Sequence, residues 1–289
     1  MSLGRGRVRA ISGHHHESLT TGWEVACTPP NAVSSPSDLA SAALEWFPAT
    51  VPSTAASTLA ASGRWSVDGT NRAFDADDWW YRTRFSAPPP DAGSERWLAF
   101  EGLATLARVW LNGQELVDSN GMFTSYSRQV DALLRDENEL AICFHSLDHA
   151  LAAKRPRPRW RVPMLEQQQL RWHRATLLGR TPGWSPSVAA VGPWRPVGLE
   201  RRSGIRVDDV RLRAEADGSL DVSCLVAQLD GAAVESVDVL VERLGVTHAV
   251  ALTLDRVAHR AAGRVVVPNV ARWWPHTHGE SPLYNVQLA

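Results

Sequence analysis

No stretch of this chain carries a sustained helical period. Short runs of apolar, β-branched and aromatic residues recur instead, each closed by Gly, Pro, Asn, Asp or Ser. A chain patterned this way buries its apolar side chains by pairing strands into sheets and stacking the sheets. The sharpest local signal is Ala107-Arg108-Val109-Trp110-Leu111, then Asn112-Gly113, then Gln114-Glu115-Leu116-Val117. Asn-Gly favours the positive φ angles of a type I′ turn, so this segment is expected to be a hairpin. Trp79-Trp80-Tyr81-Arg82-Thr83-Arg84-Phe85 reads as an aromatic-rich strand, closed by Pro88-Pro89-Pro90. Residues 23–27, 97–100 and 192–199 read as further strands. Leu140, Ile142 and Phe144 alternate with Ala141, Cys143 and His145, the mark of a half-buried strand. Helical turns are expected only at 37–44 and within 164–178.

A break at Arg201-Arg202-Ser203-Gly204 opens a shorter rhythm. Strands are expected at 208–213, 220–228, 237–243, 249–254 and 264–267. The chain's last residues, with Trp273-Trp274, a Pro/Gly turn and a short apolar run, read as a closing hairpin. Strands of that length and spacing fit an immunoglobulin-like sandwich. The plan is therefore a flexible arm at 1–22, one β-sandwich at 23–202 and a second at 203–289, an all-β fold. A chain of 289 residues, 44% of them hydrophobic, has room for two cores.

Charge and thiols exclude several functions. A net charge of −1 gives no reason to expect nucleic acid or an anionic membrane as partner. Cys27, Cys143 and Cys224 are odd in number, far apart and in no metal-ligand spacing, so neither a metal, a cofactor nor a disulfide framework is expected. Scattered thiols, no secretory apolar run and no membrane span predict a cytoplasmic chain. His14-His15-His16 lack a companion Cys or carboxylate cluster and are not read as a metal site. The Arg155–161 run is interleaved with prolines and reads as a solvated extended loop.

Seven ordered patches carry a family resemblance. They are Pro48-Ala49-Thr50-Val51-Pro52; Asp78-Trp79-Trp80-Tyr81-Arg82; Phe100-Glu101-Gly102-Leu103-Ala104-Thr105; Val109-Trp110-Leu111-Asn112-Gly113 with Asn120-Gly121-Met122-Phe123; Asn138-Glu139-Leu140-Ala141-Ile142; Gly192-Pro193-Trp194-Arg195-Pro196-Val197; and Trp273-Trp274-Pro275 with Pro282-Leu283-Tyr284. Together they resemble the N-terminal half of glycoside hydrolase family 2, the β-mannosidase-like branch. That resemblance implies a galactose-binding-like jelly roll followed by an immunoglobulin-like sandwich. It implies carbohydrate, a terminal β-glycoside of mannoside type, as the partner. It also implies a (β/α)₈ barrel carrying both catalytic glutamates, for which this sequence has no residues left.

The resemblance and the residues together nominate a substrate-binding set, with no catalytic residue. Gln169-Leu170-Arg171-Trp172-His173-Arg174 is the densest polar–aromatic cluster. Trp172 offers a flat face to a pyranose ring, and Arg171 and Arg174 offer donors to its hydroxyls. The bland alternative is a strap with its Trp buried at an interface. In the resembled branch a Trp-Asp-Trp-Gly-Pro element reaches into the sugar pocket. Here the matching stretch is Thr181-Pro182-Gly183-Trp184-Ser185-Pro186: Trp184 matches the second Trp and Gly183 replaces the acid. Asn138-Glu139 imitates the family's acid/base dipeptide but sits in a polar turn entering a strand, and is read as structural. Trp273 and Trp274 are expected to plug a core and a domain interface. Three function classes follow: a non-catalytic portion of a retaining glycosidase, a stand-alone carbohydrate-binding module, or a structural interaction fragment.

Overall fold

The computed structural model describes residues 13–87, 91–156 and 159–289. Most of the expected arm at 1–22, the Pro88–90 stop and two members of the Arg155–161 run lie outside them. By its contacts the chain divides into two compact units. One comprises His16–Pro90 with Arg96–Glu200; the other is built mainly of Arg201–Ala289.

The first unit is built on two sheets. Strands β1 (His14–Ser18), β2 (Trp23–Thr28), β3 (Phe47–Ala49), β4 (Asp78–Ser86), β5 (Ser94–Phe100), β6 (Leu106–Leu111), β7 (Gln114–Asn120), β8 (Tyr126–Gln129), β9 (Glu137–Phe144) and β10 (Val197–Ser203) supply them. The orders are β3-β2-β4-β9-β6-β7 and β1-β10-β5-β8. The hairpin is as expected: Asn112 and Gly113 have φ of 51° and 83°, between paired β6 and β7. The period of two sorts the aromatic strand. Trp79, Tyr81, Ile142 and Phe144 join Leu98, Phe100, Val197 and Leu199 in the core between the sheets. Trp80 turns to the other face of β4, where it stacks on Trp110 at 5.4 Å in a second cluster with Val33, Leu39 and Cys143. The buried indole of Trp79 donates to Phe74 O at 2.9 Å, so its N–H is not left unpaired.

Three short helices decorate this sandwich: α1 (Pro36–Leu39), α2 (Ala55–Ala61) and α3 (Leu147–Leu151). Only α1 falls where a helical turn was expected. The Ala-rich α2 is capped by Thr54, whose hydroxyl accepts from Ser57 N.

The second unit holds β11 (Ile205–Ala214), β12 (Ser219–Gln228), β13 (Asp238–Arg243), β14 (Val246–Ala251), β15 (Thr253–Asp255), β16 (Arg260–Val266) and β17 (Asn285–Leu288). Sheets β11-β12-β16-β15 and β14-β13-β17 enclose Val222, Cys224, Val239, Val241, Ala261 and Val265. Four strands facing three is an immunoglobulin-like arrangement.

The structure corrects three expectations. Residues 14–18 form a strand beside β10, not a frayed arm, because an edge strand is held by backbone pairing that its polar side chains do not reveal. The Trp pair does not form a hairpin with the last strand, since β17 pairs with β13. Nor is either Trp buried: Trp273 and Trp274 are 57% and 48% exposed. They sit in the loop before β17, where Trp274 N donates to Glu280 O at 2.8 Å.

Candidate functional site

Between α3 and β10 the first sandwich sends out a long excursion, residues 152–196, that holds every nominated binding residue. Among the described residues its one helical element is a 3-10 helix, Gln168–Trp172, which falls within the 164–178 stretch where a helical turn was expected. Two anchors hold it. Leu170 is buried against Leu147 and Leu151 of α3. Arg180 reaches Asp75 with two bonds, Nε to Oδ2 at 2.6 Å and Nη2 to Oδ1 at 2.7 Å. The two side chains are only 8% and 11% exposed. A bidentate pair at that depth fixes direction as well as distance.

Arg171 does not point free donors at solvent. Its Nε donates to Gln168 O at 2.8 Å and its Nη2 to Gln168 Oε1 at 3.1 Å, while the guanidinium lies 4.7 Å from the Trp160 ring. It therefore orders the loop. Trp172 is 44% exposed, with Arg155 at 6.0 Å from its ring. Arg174 has an exposed side chain, and its carbonyl accepts from Met122 N at 2.9 Å. Trp184 is 76% exposed on a separate turn, tied back by Trp184 N to Thr181 O and by Gly179 N to Ser185 Oγ. Arg171 and Trp172 are thus grouped with Arg155 and Trp160, Arg174 with the 121–122 loop, and Trp184 stands apart.

The excursion returns through Gly192-Pro193-Trp194. At Gly192 a Cβ would lie 2.8 Å from Tyr81 Oη and 3.1 Å from Ser53 O, so glycine alone lets the chain pass. Trp194 then donates to Met122 O at 2.8 Å and meets Phe123 edge to face at 5.8 Å. Phe123 was not nominated, yet it is 48% exposed, as are Trp160 at 62% and Leu178 at 69%. The sequence signal was there: these are large apolar residues outside any strand pattern. Gly183 has φ +82° and nothing within 4 Å of a built Cβ, so what selects glycine there is backbone angle, not crowding.

Beside the Arg180–Asp75 pair opens a cavity of about 280 Å³ lined by Arg72, Asp75, Asp148, Glu166 and Arg180 among others. Burial, then the Asp75 charge, pushes the Asp148 carboxyl up against the pull of Arg180. Of the carboxylates lining the cavity, Asp75 is held by Arg180 and Glu166 is the one glutamate, so among the described residues it offers no pair of opposed glutamates. Glu139 pairs with Arg84 at 3.2 Å. Asn138, read as part of an exposed turn, is instead buried and bonded to Asn112 and Arg135.

Comparison with known proteins fits this picture. Residues 28–195, the first sandwich with its excursion, match the family described as "Glycosyl hydrolase 2 galactose-binding domain-like". Beta-mannosidase B of Thermothelomyces thermophilus is 31% identical over 72% of this chain and 25% of its own length. Beta-mannosidase B of Aspergillus terreus is 30% identical over 96% of this chain and 33% of its own. The chain thus spans a quarter to a third of these relatives. Among solved structures, a beta-D-mannosidase from Dictyoglomus thermophilum superposes with a TM-score of 0.73 at 21% identity, covering 95% of this chain and 34% of that one. A Faecalibacterium prausnitzii beta-glucuronidase does so with 0.59 at 19% identity, covering 97% and 45%. These likenesses support the all-β fold. The chain belongs to glycosyl hydrolase family 2, whose N-terminal galactose-binding-like domain it carries.

Proposed function

We propose that this chain is the non-catalytic portion of a retaining, β-mannosidase-like glycoside hydrolase, and that its excursion forms one wall of the sugar pocket. Chemistry would come from paired acids on a barrel outside these 289 residues. The observation that carries the reading is the exposure of Trp172 and Trp184 on a loop that is otherwise firmly anchored. A large indole left in water is costly to keep unless something covers it, and a pyranose ring or a neighbouring domain does so. Arg174, with its side chain in solvent, is the donor best placed to meet a sugar hydroxyl; Arg171 acts by holding the loop. The three free thiols favour a cytoplasmic setting. Among the described residues no helix is long and apolar enough to cross a membrane.

The test is direct. The purified chain should hydrolyse no nitrophenyl β-mannoside, and calorimetric titration with mannose, mannobiose and galactose should give no measurable heat of binding. Turnover by the pure chain would sink the reading. Saturable sugar binding that Trp172→Ala or Trp184→Ala abolishes would instead make this a self-sufficient carbohydrate-binding module.

A further inference from the structure

Three donor atoms of different chemistry meet on the outer face of the six-stranded sheet, the face that carries Trp80 and Trp110. Cys143 on β9 and His145 just beyond it are two residues apart, so the strand's period puts both side chains on one face. Asp78 opens β4, one register step past the Trp79–Phe144 pair, and so comes opposite His145. Cys143 Sγ lies 3.7 Å from His145 Nδ1, and His145 Nδ1 lies 3.5 Å from Asp78 Oδ2. All three donor atoms lie within 4.8 Å of one another.

Those separations suit a shared ion, and the sulfur–nitrogen one is also the length of a weak thiol hydrogen bond in its absence. A hydrogen-bonded histidine–carboxylate pair closes to about 2.7–3.2 Å, and this one stays open. A tetrahedral ion at about 2.3 Å from sulfur and about 2.0–2.1 Å from nitrogen and oxygen sets its ligands apart by about 3.6 Å for S–N and about 3.4 Å for N–O. The sulfur–nitrogen and nitrogen–oxygen separations, 3.7 and 3.5 Å, have that size.

The surroundings are those of a ligand set. Asp78 is 1% exposed, and its carboxylate is aimed by Ser146 N at 2.7 Å and Asn31 N at 2.9 Å. Backbone donors of this kind orient metal-bound carboxylates. Trp80, Trp110, Val33 and Leu39 close a dry wall around Cys143. His145 keeps 30% of its side chain in solvent, which leaves an entry path and a fourth position for water. Thiolate, imidazole and carboxylate together suit a borderline ion such as zinc, not calcium or magnesium, which want oxygen alone.

We propose that Asp78, Cys143 and His145 bind one zinc-class divalent ion, clipping the start of β4 to the end of β9. Coordination requires the thiolate, so binding displaces the Cys143 proton to the buffer. Asp78 and the thiolate then balance the ion's two charges. Arg108, opposite Cys143 on β6, is the cation that faces the sulfur.

Cobalt(II) titrated into the chelator-treated 289-residue chain reads this out by absorption. One equivalent should produce a near-ultraviolet thiolate-to-cobalt charge-transfer band with the intense visible bands of four-coordinate cobalt, and zinc should bleach both. Cys143→Ser should abolish the charge-transfer band while Cys27 and Cys224 stay in place. His145→Gln alters a partly exposed side chain and should weaken cobalt binding at least tenfold with unchanged far-ultraviolet circular dichroism. If the serine variant fails to fold, the glutamine variant decides alone. A wild-type chain without the charge-transfer band, a band that survives Cys143→Ser, or a His145→Gln chain that binds like wild type would each overturn the proposal.

Discussion

The two sandwiches solve the same packing problem with different materials. Among the described residues, every one of the largest fully buried side chains, including Trp23, Trp79, Trp80, Tyr81, Phe74, Phe100 and Phe144, belongs to the first. The second is filled by Val, Leu, Ala and Cys. Its surface carries Arg–acid pairs: Arg264 with Asp221 on the neighbouring strand, Arg260 with Asp209 two strands away, and Arg213 with Glu215 two residues along the chain. Among the described residues the first extends the longer excursion, 152–196, against the 267–284 connection of the second. Large aromatics bury more apolar area per residue, so a core built of them can hold in place a loop that contributes little stability itself. A core of small β-branched residues suits a spacer that needs only to keep its own shape.

The contrast breaks most easily at the cores. Trp79→Ala should cost the first sandwich about 3–5 kcal/mol, because a fully buried indole leaves a cavity its neighbours cannot fill. Val239→Ala, equally buried in the second, should cost about 2 kcal/mol. Denaturant unfolding followed by circular dichroism measures both. Equal losses would mean that the aromatic core is no better packed than the aliphatic one.

The excursion is the next place to press. Arg180→Met leaves the Asp75 carboxylate buried and unpaired, and should cost about 3 kcal/mol. The loss should be local, read as new proteolytic cuts within residues 152–196. Asp75→Leu added to Arg180→Met should recover much of it, since an apolar pair leaves no stranded charge. Cuts that do not change in the single variant would show that Leu170 holds the loop without the ion pair.

How far this was legible in the sequence follows the range of the interaction. Asn112-Gly113 and the alternating strands speak through neighbours, and they fold as expected. The polar strand β1 and the short β8 do not, because their pairing is made by backbone to partners far along the chain. The same holds at the site. Trp172 stood out by its polar–aromatic cluster and Trp184 by the family resemblance, but that Arg171 donates to Gln168, or that Asp75 and Arg180 meet across 105 positions, depends on register. Cys143 and His145 gave no metal spacing, since their third companion lies on another strand.

A smaller effect is expected from pH at the cavity beside that pair. With its pKa raised by burial and by Asp75, the Asp148 carboxyl is harder to ionise in the folded chain than in the unfolded one. Its contribution to stability is full below the unfolded value and is lost as pH rises through the folded one. Asp148→Asn should therefore raise the neutral-pH unfolding midpoint slightly and flatten its fall between acid and neutral pH. A lower midpoint would mean that the acid's place in the first turn of α3 outweighs its crowding by Asp75.

The least effect is expected where the second sandwich looks most tightly bound. Arg264 and Asp221 face each other across β12 and β16, with Nη2 to Oδ2 at 2.9 Å and both side chains largely in water. Water screens that attraction, and ordering two long side chains offsets the remainder. Arg264→Ala should leave the unfolding midpoint within the error of the measurement, with or without added salt. A clear, salt-sensitive loss would show that the surface pairs act as a network, so that the second sandwich draws from charge what the first draws from its aromatic core.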